Sequence, residues 1–363
     1  MKFQIQVAIC VLTLCLLPHP GFSQSAWTPP KGTYSLAISY QNNFTDRHSL
    51  SDGRQYLTVL GKKIYDIGST RTQAAYVDLG YALTDKLSAG IDVPYMSSKY
   101  YSPKTFPEKP DGTPALSFGP HYFWEPGEAS PGQKLIDNGD YHGGFQDIGF
   151  RIRYNVATNP FMITPFIQYS APSHSYQFYS HAVYGNRVSE FQIGTFLGGF
   201  VSDKIYLHGA YGLGFPQKII GISRIHHHME FESGYFVNEK IKLFGLLHAQ
   251  VTNGGNELTQ DPSSYYKLPV IFEGFGFPSQ CAAGLSPCGY TSNDQVMLHH
   301  LQTQRDSFLN MSAGMEYSLN PSMSVFGVFE HTLTNRNLHI LKYGLTFGVS
   351  WGFGGKAQRP CHC

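Results

Sequence analysis

The chain is short of everything a helical membrane protein needs. The apolar core Val7–Leu17 is too short to cross a membrane as a helix, and no later segment is an uninterrupted apolar run of the ~20 residues that a spanning helix requires. Charge is scarce too: Asp, Glu, Lys and Arg make up 14% and sum to a net +1. That balance has no basic excess to draw a polyanion, so nucleic acid is excluded as a partner. Tryptophan occurs three times, yet Tyr and Phe bring the aromatic share to 15%, beside 38 glycines. Such a composition suits glycine-rich walls with aromatic belts, and it also suits a secreted β-sandwich.

What is present first is an export signal. Lys2, the apolar core Val7–Leu17 and the small residues Ser23 and Ser25 have the order of a secretory leader. The expected cut lies near Ser25–Ala26, with a site after Ser23 as the alternative. Leu14 stands where a lipoprotein signal has a small residue before its cysteine, Cys15 here. The chain then divides into a leader over 1–25, a body over 26–353 and a tail over 354–363. Export implies an oxidising compartment, so Cys281 and Cys288 are expected to form a disulfide. Cys361-His362-Cys363 is one ligand short of a closed zinc site. It reads as a frayed tail, and no metal or other cofactor is expected.

The body alternates. His339, Leu341, Tyr343, Leu345, Phe347, Val349, Trp351 and Phe353 occupy one face of a period-two run. Lys342, Gly344, Thr346, Gly348, Ser350 and Gly352 occupy the other, and Ile340 breaks the pattern. Such a run is a strand with one apolar and one small or polar face. Twelve such runs are expected, at roughly 33–44, 72–83, 87–98, 144–157, 161–171, 188–201, 205–215, 222–237, 241–252, 304–319, 323–333 and 338–353. Five are joined to the next by short turns: Thr84-Asp85-Lys86, Thr158-Asn159-Pro160, Ser202-Asp203-Lys204, Asn238-Glu239-Lys240 and Asn320-Pro321-Ser322. These are turn-forming residues for definite backbone reasons. The remaining six connections are longer, and the one containing 103–131 carries seven prolines. An even strand count with short turns on one side and long links on the other predicts an all-β, up-and-down antiparallel barrel spanning a bacterial outer membrane.

Alternation also sorts the charges. Asp78, Asp92, Asp147, Arg151, Arg153, Glu190, His208, Arg224, His226, His228, Glu230, Glu232, Lys242, His248, Glu316, Glu330 and Lys342 fall on the polar face. A charge at the bilayer midplane costs about 2–4 kcal/mol, so this face is expected to line the lumen, with lipid outside. His227, His331 and His339 fall on the apolar face, where a neutral imidazole near the interface is tolerated. Two readings of the charged face stand side by side. Opposite charges on neighbouring strands pair and lock the barrel, or a charged constriction selects solutes. Three of the histidines, His226, His228 and His248, could approach one another on adjacent strands as metal ligands; hydrogen-bonded wall residues are the plainer reading.

Two stretches carry a family likeness. Tyr81-Ala82-Leu83-Thr84-Asp85-Lys86-Leu87-Ser88-Ala89-Gly90-Ile91-Asp92-Val93-Pro94-Tyr95 and Gly143-Gly144-Phe145-Gln146-Asp147-Ile148-Gly149-Phe150-Arg151-Ile152-Arg153-Tyr154 resemble the outer-membrane proteins of the phenol-degradation meta-pathway family. The family's glycine before the aspartate is Gln146 in this chain. The resemblance implies a barrel for uptake of small compounds, aromatic ones among them, with no catalytic residues. The partners it implies are outer-membrane lipid and a small solute; nothing in the pattern specifies an oligomeric state. Two other classes compete. A membrane hydrolase would use His248-Ala249-Gln250-Val251-Thr252-Asn253-Gly254, but the residue two after the histidine is Gln250, which is no nucleophile. A receptor would bind through the long links.

Overall fold

The structure, a computed structural model, describes residues 26–59, 62–64, 68–101, 139–178, 182–258, 266–267 and 299–354. Twelve long strands follow one another: β1 Thr33–His48, β2 Ser69–Ala82, β3 Leu87–Tyr101, β4 in two pieces (His142–Phe145 and Asp147–Tyr154), β5 Met162–Pro172 and β6 Glu190–Ser202. They continue as β7 Ile205–Pro216, β8 Arg224–Phe236, β9 Ile241–Gly254, β10 Ser307–Asn320, β11 Met323–Arg336 and β12 His339–Gly354. Each pairs antiparallel with its neighbours in sequence. The ring closes because β1 pairs with both β2 and β12, Tyr34 opposite Tyr81 on one side and Phe353 on the other. A closed antiparallel barrel of twelve strands therefore satisfies every strand edge within itself, which is what a sheet in hydrocarbon must do.

Three of the five short turns are closed by single or paired hydrogen bonds to their own side chains. Thr84 Oγ1 accepts the backbone N–H groups of Lys86 and Leu87 at 3.2 and 2.9 Å. Asn238 Oδ1 accepts those of Lys240 and Ile241 at 2.8 and 3.0 Å, and Asn320 Oδ1 that of Ser322 at 2.9 Å. Local polar atoms of this kind fix a hairpin turn without help from the rest of the fold. All five lie at one end of the barrel, the turn end; the remaining six connections lie at the other, the link end, and the one expected at 334–337 is shortened to Asn337 and Leu338 because strand pairing runs on through Arg336.

Several strands run further toward the link end than the apolar pattern. β1 continues through Thr45, Asp46 and Arg47 to His48, and β2 begins at Ser69. Ladder hydrogen bonds need no apolar side chains, so the pairing outlasts the apolar belt. Two irregularities alter the alternation. Gln146 interrupts β4, and its Nε2 turns to the Tyr184 carbonyl and the Met96 sulfur. Between β1 and β12, Phe44 faces Tyr343 but Thr45 faces Leu341, which leaves Lys342 as the extra residue of a bulge.

The two faces differ as a membrane barrel requires. Phe347 on β12 is 59% exposed and Val201 on β6 is 64% exposed. Phe150, Ile152, Phe231, Leu243, Met311 and Met315 are exposed with them. Soluble monomers rarely leave so continuous an apolar surface to water. No described helix is long and apolar enough to cross a membrane; the crossing elements are strands. The leader, the 102–138 link with its prolines, Cys281 and Cys288, and residues 355–363 with Cys361 and Cys363 lie outside the described residues.

Candidate functional site

The closed barrel buries many of its ionisable side chains. Nearest the turn end, the segment before β1 folds inside. Ala26 is fully buried; its carbonyl accepts the hydroxyl of Thr164 at 2.6 Å and the amide of Asn155 at 3.4 Å. Ala26 packs with Phe166, Phe196 and Ala210, and Trp27 and Met162 complete the cluster. Trp27 also meets Phe200, Tyr206 and His208 at ring separations of 5.8–6.1 Å. The segment is tied to the first turn: Thr28 Oγ1 donates to the Asp85 carbonyl and the Lys31 N–H to the Asp85 carboxylate.

Four aromatic residues lie across glycines of the neighbouring strand. Phe166 faces Gly194, Tyr206 faces Gly234, Phe244 faces Gly314 and Phe326 faces Gly348. A methyl group on any of these glycines would collide with its ring. Each pair joins a strand leaving the turn end to the one returning to it. Large side chains thus lie flat against the wall, where a residue other than glycine would push them into the lumen.

Ionic pairs begin beside these rings, Lys242 and Glu316 lying nearer the turn than Phe244 and Gly314, and run to Asp78 and Asp92 deeper in the barrel. Asp78 and Asp92 stand directly opposite on β2 and β3. Arg151 on β4 reaches Asp92 Oδ2 at 2.5 Å and donates through Nε to Gln168 at 2.8 Å. Arg153 donates to Ser88 at 2.7 Å. Lys242 meets Glu316 at 2.5 Å across β9 and β10, and Tyr206 donates to Glu232. These partners come from adjacent or next-adjacent strands, as expected when opposite charges share a narrow interior.

A further set of polar groups lies toward the link end. Glu190, the first residue of β6, accepts from His226 Nδ1 and His228 Nε2, both at 2.9 Å. His248 on β9 faces Glu230 on β8 and lies 3.9 Å from Glu330. Asn310 donates to Glu330, and Thr332 to Asn310, at 2.8 and 2.7 Å. Arg224 is buried and donates to the Gln304 carbonyl at 3.2 Å. Gln250 and Thr252 both donate to Asp306 at 2.9 Å. Gln250, at the position where the hydrolase pattern needs a nucleophile, is thus a hydrogen-bonded carboxamide. Above these groups the links knit together: Asn337 donates to the carbonyls of Asn256 and Arg305, and Gln302 to that of Asn186. Tyr176 donates to Asp147 at 2.5 Å and accepts the Arg187 N–H at 2.7 Å. Burial first, and the Asp147 carboxylate second, push the Tyr176 phenol above its ordinary range, so it stays a donor.

Asp78, Asp92, Arg151, Arg153, His208, Arg224, His226, His228, Glu230, His248 and Glu330 are buried, and Asp147, Glu190, Glu232, Lys242 and Glu316 are half-buried. Lys342 is a correction to the period-two count: it is 51% exposed and pairs with Asp46 at 2.6 Å. The bulge is the reason, because an extra residue breaks the alternation beyond it. A second correction concerns the histidines: Glu190, and not His248, joins His226 and His228. His227 and His331, on the apolar face, are engaged near the link end by Tyr211, Asn253 and the Lys342 carbonyl. Sequence reasoning missed the inserted Ala26–Trp27 segment and the aromatic–glycine pairs. The glycines were visible, but the register that sets them opposite rings was not.

No family model and no curated protein matches the chain. Among solved structures, it is similar to an outer-membrane channel from Pseudomonas putida F1, with 12% identity and a TM-score of 0.57 over 92% of this chain and 99% of that one. The KdgM porin, at 7% identity and a TM-score of 0.40, covers 87% and 99% of the two chains. At 12% identity, the likeness to the Pseudomonas putida channel is one of fold.

Proposed function

We propose that the chain is a passive channel of the bacterial outer membrane for small solutes, aromatic compounds among them. The observation that carries this reading is the segregation of faces: an apolar exterior closed around buried ionic and polar side chains. In a bilayer such a barrel offers a polar route through hydrocarbon. The likeness of fold to an outer-membrane channel supports the same reading. So does the resemblance of Tyr81–Tyr95 and Gly143–Tyr154 to the phenol-degradation meta-pathway family.

The lumen-facing role of the charged residues belongs to this proposal. Arg151, Arg153 and Lys242, set among Asp78, Asp92 and Glu316, would meet a passing solute as a mixed-sign constriction. Among the rings set against glycines, the half-buried Phe244 would offer a ring face to an aromatic solute. Twelve strands enclose less space than the 16–18 of open porins, which favours small substrates.

The test is electrical and chemical. The leaderless protein, folded and inserted in planar bilayers, should give discrete conductance steps, and liposomes containing it should admit benzoate faster than empty ones. A folded preparation that neither conducts nor admits benzoate would remove the proposal.

A further inference from the structure

We infer that Glu190, His226 and His228 form a binding site for a divalent first-row transition metal ion, with zinc as the type ion, inside the barrel near its link end. Their ligand atoms lie within 4.8 Å of one another. His226 Nδ1 and His228 Nε2 each stand 2.9 Å from a different oxygen of the same carboxylate. Two imidazoles and one carboxylate are a donor set that suits borderline divalent ions, and three protein ligands leave a four-coordinate ion one position for water or a solute oxygen.

The backbone makes room for this set. Glu190 lies on β6 and the histidines on β8, so β7 runs between them. The β7 residue they reach across is Gly214, paired with His226 on one side and Gln192 on the other. A methyl group there would collide with Glu190 Oε1 and stand 2.9 Å from His228 Nε2. Gly214 is therefore the opening through which carboxylate and imidazole meet. Neutral imidazoles can also release these nitrogens by moving the proton to the other side of the ring. The far nitrogens, His226 Nε2 and His228 Nδ1, are buried and engaged by no protein group, so only the bonds to Glu190 itself oppose the exchange, and the metal replaces them. Binding then replaces two N–H···O bonds by two N–metal bonds and one O–metal bond, with no net proton transfer to solvent from the rings.

The experiment reads binding, so it stands whether or not the barrel conducts. The untagged, leaderless, folded protein in detergent is titrated with Zn2+ alone by calorimetry and with Co2+ by visible absorption. One Zn2+ per chain should bind, displacing Co2+ whose d–d bands have the intensity of a low-coordinate nitrogen–oxygen site. Glu190→Gln and Gly214→Ala should each weaken binding at least about tenfold, the second with every ligand retained, and the double variant His226→Ala/His228→Ala should abolish it. Folding is checked by the electrophoretic heat shift of intact barrels; if the double variant fails it, His228→Gln, which keeps a donor to Glu190, takes its place with the same expected loss. Absence of binding by the wild type, or binding that survives loss of the histidines, overturns the site in favour of plain hydrogen-bonded wall residues. Binding that vanishes when the chain is cut after Gly354 overturns it in favour of the terminal cysteines.

Discussion

A buried guanidinium must be answered by groups that alternation alone does not identify. Arg151 has both: Asp92 at 2.5 Å and Gln168 at 2.8 Å, with both ionic side chains under a tenth exposed. Remove the arginine and Asp92 loses its ion pair while still facing Asp78 across the β2–β3 ladder. Stranding one member of a buried pair costs about 3–5 kcal/mol, whereas replacing both members is often close to neutral. Arg151→Leu should therefore lower stability by roughly 3 kcal/mol, and Arg151→Leu/Asp92→Asn should recover most of it, as read by urea unfolding from lipid vesicles. Equal losses in the single and double variants would mean that the pair is not coupled. Alternation assigns Arg151 a face; that Asp92 and Gln168 are its partners depends on the register of three strands.

At the scale of the element, the twelve strands and five turns were legible because their causes are local. A period of two decides which side a residue faces, and Thr84, Asn238 and Asn320 close their own turns. Glycine placement has a nonlocal cause. Gly348 and Gly352 look alike in the β12 sequence, yet a methyl group would strike the Phe326 ring at the first and meet nothing within 4 Å at the second. Overpacking of a filled site costs about 1–3 kcal/mol. Gly348→Ala is expected to destabilise by that amount and Gly352→Ala by far less, with Phe326→Leu/Gly348→Ala relieving part of the loss. The same unfolding measurement checks this; equal effects at both glycines would remove the packing argument. The bulge at Lys342 is likewise invisible to a period count, since it exists only in the offset between β1 and β12.

For the whole molecule, the closed ring leaves two ends, and described segments outside the strands pack at both. The links meet at one end through Asn256, Gln302, Thr303 and Asn337, all buried. At the other end, Ala26 and Trp27 enter the barrel and seat against Phe166 and Phe196. If the interior is a passage, this segment narrows it. Deleting residues 26–31, or changing Trp27 to Ala, should raise unit conductance in planar bilayers, while the heat shift of the barrel persists. Unchanged conductance in both variants would leave the segment a structural brace.

The amino-acid sequence by itself determined strand number, turn positions and which side chains share a face, because each depends on neighbours a few residues away. Tertiary structure decided which groups meet inside: Arg151 with Asp92, Glu190 with His226 and His228 over Gly214, rings with glycines, Ala26 with Thr164. Those meetings depend on strand register and on closure of the ring. Both are properties of all twelve strands together, fixed only when β1 finds β12.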